Sequence, residues 1–268
     1  MSDWVVPVGR RLGGRAEVRT RAPLSGGYAG TAERVDLLVD GRVVPVVVKP
    51  ADPVEVAALR AVAVVDGARA PRLLHPDPLV MGWVDGEPGA VSAAVLESLA
   101  LVHRHWSRNR PRGVPVVDGA WWRALCERTG LALRGGLART GDERYAEAAA
   151  RVAKWAGDPR IHRALAVLPR TLCHGDPHRG NLLGDTLIDW GNARVAPAGL
   201  DLAVLRAQGT TELTAYRAVL PEGPHAVVER EWAWAHVHVQ YLGFAADHLG
   251  PERVAEMVGE ASQAVERL

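Results

Sequence analysis

The run His174-Gly175-Asp176-Pro177-His178-Arg179-Gly180-Asn181 constrains this chain more than any other stretch of it. It reads H-G-D-x-x-x-x-N, and eight residues beyond Asn181 the segment Ile188-Asp189-Trp190 supplies a second aspartate. Two carboxylates and a carboxamide at these offsets suit transfer of a phosphoryl group from a magnesium nucleotide. One carboxylate orients the attacking hydroxyl, while the Asn and the other Asp hold the metal ions. Asp176 is the candidate for the first task, Asn181 and Asp189 for the second.

The Asp-to-Asn spacing resembles that of the protein-kinase catalytic loop. With Gly175 where protein kinases carry Arg, the segment is similar to the aminoglycoside phosphotransferase and choline-kinase-type family of small-molecule kinases. That family's loop resembles H-G-D-x-H-x-G-N, which Asp176, His178, Gly180 and Asn181 fit, and its I-D-W follows as Ile188-Asp189-Trp190. A further Asp in a P-x-x-x-D-L setting has its counterpart in Pro197 and Asp201-Leu202. Where the family has G-D-P this chain has Val195-Ala196-Pro197, a departure that does not touch the metal ligands. The likeness is specific over residues 171–206 and looser toward the N-terminus.

The resemblance implies an α+β, two-lobed, protein-kinase-like fold. A small antiparallel sheet with one helix would occupy residues 1–81, a linker 82–89, and a mainly helical lobe with the catalytic loop and acceptor site 90–268. It also implies ATP as donor, with GTP as the alternative, Mg²⁺ as the ion, and a hydroxyl on a small molecule as acceptor.

Composition narrows the partners. A hydrophobic content of 48%, a charged content of 24% and a net charge of +1 describe an ordinary soluble globular chain without a field that would recruit nucleic acid or a membrane. The two cysteines, Cys126 and Cys173, lie too far apart in sequence for a disulfide framework or metal-ligand spacing. Cys173, in an apolar stretch, reads as a buried reduced thiol. The apolar run near the N-terminus is too short for a signal peptide, and no run approaches a transmembrane length, so the expected compartment is the cytoplasm.

Residues 21–49 read as strand, glycine loop, strand, turn and strand. The loop around Ser25, Gly26 and Gly27 is either a phosphate-covering loop or a plain turn. Asp40-Gly41 marks a tight hairpin, and the valine-rich run 43–48 ends at Lys49, one of two lysines in the chain. Lys49 is the candidate for phosphate contact. Glu55 stands at the third position of a helix opened by Asp52 and Pro53, where it either completes a capping box or pairs with Lys49. The short apolar segment Met81, Gly82, Trp83 and Val84 resembles the family's linker between lobes, whose backbone binds the adenine edge; a plain edge strand and turn is the other reading.

Beyond residue 90 the pattern is helical. Val95, Leu99 and Val102 share one face of a helix that ends at His103-Arg104-His105, with His103 reading as a core or cap residue. Two more amphipathic helices are expected, from Trp121-Trp122 to Gly130 and from Tyr145 to Trp155. His174 is expected to brace the loop through hydrogen bonds, and His178 to have a structural role. After Asp201 acids outnumber arginines, which would suit an amino-bearing acceptor, and Trp232, Trp234 and Tyr241 are candidates to stack on a ring, though Trp in the core is the plainer reading. Acceptor identity stays open among antibiotics such as aminoglycosides, amino sugars, sugars and amino alcohols, so antibiotic resistance and a metabolic role are both compatible. The competing readings are a non-catalytic, pseudokinase-like nucleotide-binding protein, a kinase for protein hydroxyls, and a metal-dependent hydrolase built on His174, Asp176 and His178.

Overall fold

The computed structural model describes residues 3–24, 32–89 and 91–268. Its N-terminal part contains α1 (Val5–Leu12), β1 (Ala16–Pro23), β2 (Glu33–Val39), β3 (Arg42–Lys49), α2 (Pro53–Val62), β4 (Leu73–Pro76) and β5 (Leu79–Gly82). The strands form one antiparallel sheet in the order β1-β2-β3-β5-β4. Asp40 and Gly41 both have positive φ, 44° and 83°, as a two-residue turn matched to the strand twist requires.

Alternation along the strands splits the sheet into two faces. Val35, Leu37, Val39, Val46 and Val48 pack with Trp4, Val5 and Val8 of the α1 region. Val47, Leu79 and Met81 belong instead to a core shared with Val56, Leu59 and Val62 of α2. Pro45 interrupts the valines of the central strand, but β5 pairs with β3 only from Val46 to Lys49, so the missing N–H falls outside the doubly paired stretch. The sequence gives one helix here; α1 is a second, and it closes the sheet face that α2 leaves open.

The C-terminal part comprises α3 (Ala93–His105), α4 (Gly119–Thr140), α5 (Glu143–Trp155), α6 (Pro159–Val167), β6 (Thr171–Cys173), β7 (Leu182–Leu183), β8 (Thr186–Leu187), β9 (Arg194–Ala196), α7 (Gly199–Ala207), α8 (Thr214–Val219), α9 (Ala226–His248) and α10 (Pro251–Glu266). Ser92, Asp118, Asp142 and Asp158 start α3 to α6 by accepting a backbone N–H of the first turn, each a cap of about 1 kcal/mol. Trp122, Leu133, Tyr145, Val152 and Trp232 are buried in one core shared by α4, α5 and α9. Among the described residues no helix is long and apolar enough to cross a membrane. Cys126 and Cys173 are both buried and unbridged, and burial pushes the Cys126 thiol up to about 12.

Candidate active site

The loop 174–181 is suspended between two short strands. β6 pairs with β9 in antiparallel register, Cys173 opposite Arg194, and brings the chain into the loop. Residues Arg179–Asn181 form one 3₁₀ turn, and the β7–β8 hairpin returns the chain to Ile188, whose N–H donates to the Asn181 carbonyl at 2.9 Å. Asp189 follows with φ 59° and ψ 67°, a left-handed conformation that Asp tolerates better than most residues.

Asp201, in the first turn of α7, anchors the loop from behind. Its carboxylate accepts the N–H of His174 and of Gly175, each at 2.8 Å, and His103 Nε2 lies 3.0 Å away. His103 in turn meets the Tyr216 hydroxyl through Nδ1 at 2.7 Å. Burial alone would raise the Asp201 carboxyl, but the hydrogen bonds from His103 and from the Gly175 N–H outweigh it and hold it below the usual range. Asp201 therefore stays ionised although fully buried. His174 braces the other side: Nε2 donates to the Ile188 carbonyl at 2.9 Å, and Nδ1 accepts the Asp176 N–H at 3.3 Å. Burial lowers its pKa, which keeps the ring neutral in that tautomer.

Around this frame the polar groups converge. Lys49 Nζ, at the end of β3, lies 2.6 Å from Glu55 Oε2 and 3.3 Å from Asp189 Oδ1. Asp52 takes the capping task, accepting the N–H groups of Val54 and Glu55 at 2.8 and 3.0 Å, so the Glu55 side chain is committed to the lysine. The pair is close in sequence because α2 starts directly after β3. Burial would lower the Lys49 pKa, but Glu55 and Asp189 together raise it, and the ammonium persists well above neutral pH. Asn181 Nδ2 donates to the Asp176 carbonyl at 2.9 Å, which ties down its nitrogen and leaves the amide oxygen on the other side. The Asp189 side chain is 57% exposed, and among the described residues its second oxygen has no hydrogen-bond partner.

The Asp176 carboxylate is itself held on both oxygens. The Tyr241 hydroxyl of α9 donates to Oδ1, and Asn192 Nδ2 donates to Oδ2 at 3.3 Å. Burial, then the Asp176 charge, raises the Tyr241 phenol far above its usual value, so it remains a donor. Arg194 completes the underside: Nε donates to the Asn192 carbonyl at 2.9 Å, Nη1 to Gln240 Oε1 at 3.1 Å, and the guanidinium lies over the Trp121 ring. Asn192, Arg194 and Gln240 carry no sequence signal for these contacts. Tyr241 contacts Asp176 through its hydroxyl, a placement that its candidacy as a ring platform did not foresee. Trp232 is fully buried in the helical core and is not available to a ligand.

The remaining sequence candidates distribute as follows. Ser25, Gly26 and Gly27 lie outside the described residues. Met81 is buried at the end of β5, and Gly82 closes that strand, its N–H donating to the Arg72 carbonyl at 2.9 Å. Trp83 leaves the sheet with its ring against the Arg34 guanidinium and its Nε1 donating to Asp85 at 2.9 Å. Val84 and the chain to residue 89 belong to no helix or strand. Gly86, with φ 147°, lets this segment lie against the β7–β8 hairpin, where a Cβ would come within 2.5 Å of the Gly184 nitrogen.

A small antiparallel sheet carrying a paired lysine, joined to a mainly helical part, is a protein-kinase-like architecture. A sequence profile of the phosphotransferase enzyme family matches residues 47–238, and the chain belongs to that family. None of the curated protein sequences matches it. Solved structures agree in fold at low identity. The spectinomycin phosphotransferase APH(9)-Ia, in complex with ADP and spectinomycin, is 13% identical with a TM-score of 0.56, covering 94% of this chain and 92% of that one. Choline kinase LicA from Streptococcus pneumoniae is 12% identical with a TM-score of 0.58, covering 94% and 95%. Macrolide 2′-phosphotransferase MphH from Brachybacterium faecium is 16% identical with a TM-score of 0.51, covering 97% of each chain.

Proposed function

We propose that this phosphotransferase moves the γ-phosphoryl group of ATP to a hydroxyl of a small molecule, with Asp176 as the residue that orients the hydroxyl and takes its proton. The observation that carries the reading is that Lys49 reaches Asp189 while Asn181 is tied to the main chain of Asp176, whose carboxylate oxygens are fixed by Tyr241 and Asn192. Residues 1–81, 82–89 and 90–268 then act as nucleotide lobe, linker and catalytic lobe.

Lys49 would hold the donor phosphates, with Glu55 fixing its ammonium in place. The main chain from Met81 to Val84 would meet the adenine edge. Asn181 and Asp189 suit Mg²⁺: both offer hard oxygen atoms, and one carboxylate plus neutral oxygens leaves room for the phosphates and water this ion prefers. Bound there, the ion would neutralise the negative charge of the phosphates. Asp176 needs no unusual acidity for its task. The transition state of phosphoryl transfer is loose, so positioning dominates and the proton moves late. The donors on Asp176 fix the carboxylate plane toward the incoming hydroxyl.

Similar folds belong to kinases whose ligands include spectinomycin and, by name, macrolides and choline. For this chain the proposed acceptors are hydroxylated antibiotics such as aminoglycosides, amino sugars, sugars and amino alcohols, so drug inactivation is one physiological outcome. The test is transfer from magnesium ATP to a panel of these compounds, read by mass spectrometry with Asp176→Asn in parallel. A product heavier by one phosphoryl group, formed by the wild type alone, is the expected result. Failure to bind either ATP or GTP would overturn the reading.

A further inference from the structure

A cavity of about 540 Å³ lies behind the catalytic loop, and none of Lys49, Asp176, Asn181 or Asp189 lines it. Its walls come from α7, α8 and the first turns of α9, closed by the chain around Arg108 and Arg170. The size falls within the usual range for small-molecule sites. Leu202, Ala203, Leu213, Leu220 and Trp234 make much of the lining apolar.

The charge around this apolar space is one-sided. Five arginines line it, at 108, 170, 206, 217 and 230, against two glutamates, 222 and 229. Both glutamates are already engaged: Glu222 pairs with Arg217 at 3.0 Å, and Glu229 accepts the Gly199 N–H at 2.7 Å. Among the described residues the Arg170 side chain donates to the carbonyls of Val117 and Leu165. Arg206 rests on the Trp234 ring, 4.7 Å from its centroid. Among the described residues no carboxylate lies within salt-bridge distance of Arg108, Arg170 or Arg206. An apolar chamber with unmatched guanidinium groups is complementary to an amphiphilic anion: a hydrocarbon or aryl body with one carboxylate or sulfonate.

The cavity also touches the frame of the active site. Tyr216 and His103 belong to its lining, and they lead through Asp201 to the N–H groups of His174 and Gly175. α7 is the shared wall. Asp201 on one side holds the catalytic loop, while Leu202, Ala203 and Arg206 face the chamber.

We infer that this cavity is a second ligand site, separate from the nucleotide and acceptor sites, which takes an amphiphilic anion and reports its occupancy to the catalytic loop through Tyr216, His103 and Asp201. Binding at this site does not depend on the catalytic roles proposed above. Calorimetric titration of the full-length protein with decanoate, with and without saturating magnesium ATP, tests it. One saturable site that magnesium ATP does not displace is expected, with decyltrimethylammonium failing to bind. Arg206→Glu, on the exposed end of α7, should weaken decanoate by at least ~10-fold, the equivalent of one charge-assisted contact. Leu202→Trp, which fills the chamber, should weaken it equally. Hydrogen exchange at the His174 and Gly175 amides should slow on decanoate addition. Absence of saturable binding, equal binding of the cation, displacement by magnesium ATP, or indifference to Arg206→Glu would each overturn the site. Unchanged exchange at those amides would overturn the coupling. Loss of phosphoryl transfer alone would leave the titration as it is.

Discussion

A Cβ on Gly175 would sit 2.1 Å from the Asn192 carbonyl oxygen and 2.7 Å from Arg194 Nε, on a backbone with φ 84°. No side chain fits there, because the Asn192 carbonyl and the Arg194 guanidinium behind it fill the space that a residue at 175 would need. Gly175→Ala should therefore cost at least ~1–2 kcal/mol from the left-handed backbone alone and displace the loop. Denaturant unfolding together with turnover checks this, and wild-type values in both would contradict it. The Lys49–Glu55 pair makes a second prediction. Glu55 is 1% exposed, so Lys49→Met leaves a buried carboxylate without its partner and should cost about 3–5 kcal/mol. Adding Glu55→Gln should recover much of that stability without restoring activity; a double variant no more stable than Lys49→Met would show that the pair is not the source of the loss. At this scale the sequence was informative where groups sit at fixed offsets along one loop, as Asp176, Asn181 and Asp189 do. It was silent for the Tyr241 hydroxyl on Asp176 and for Arg194 on Gln240, because contacts across 65 and 46 residues leave no spacing to read.

The helices show why some elements were legible and others were not. α3 and α5 announce themselves through apolar periodicity and side-chain caps. α4 extends to Thr140, well past the expected end at Gly130; Gly136 within it is a packing residue rather than a breaker, since a Cβ there would meet the Tyr145 ring of α5 at 2.8 Å. α1 contains Pro7 and Gly9 and lacks a capping side chain, so only the sheet face it covers reveals it. α9 carries the element-scale prediction. His236 is fully buried against Trp121, Trp122 and Trp232, and burial followed by the Arg194 charge holds its pKa well below the usual 6.5. His238 and His174 are lowered too, mainly by burial. The unfolded chain binds these protons below pH 6.5 and the folded chain does not, so stability rises with pH there. Their contribution is complete above the unfolded value and is lost as pH falls through the depressed folded values. Unfolding midpoints measured from pH 7.5 to 4.5 should drop on the acid side, and His236→Phe should flatten part of that drop. An identical profile for the variant would remove His236 as a source.

Across the whole molecule, the protein-kinase-like division into a sheet and a helical part is what the family resemblance of one motif implies, and the helical pattern beyond residue 90 agrees with it. The order of the last helices does not follow, since α7 to α10 are placed by packing rather than by any motif. The two parts meet where Lys49 of the sheet reaches Asp189 of the helical part, so nucleotide binding should stabilise both together. Magnesium ATP at one hundred times its dissociation constant should raise unfolding stability by ~2.7 kcal/mol. Asp189→Asn, which keeps a residue tolerant of left-handed backbone, should lose the magnesium-dependent share of that gain; an undiminished gain would remove Asp189 as an ion ligand. The most direct test of the central claim compares Asp176→Asn with wild type for turnover and ATP affinity on whichever acceptor the panel identifies. A fall in turnover of at least ~10²-fold with ATP affinity nearly unchanged is the predicted result. Wild-type turnover in the variant would contradict it, because the reaction would then proceed without the carboxylate to which the role is given.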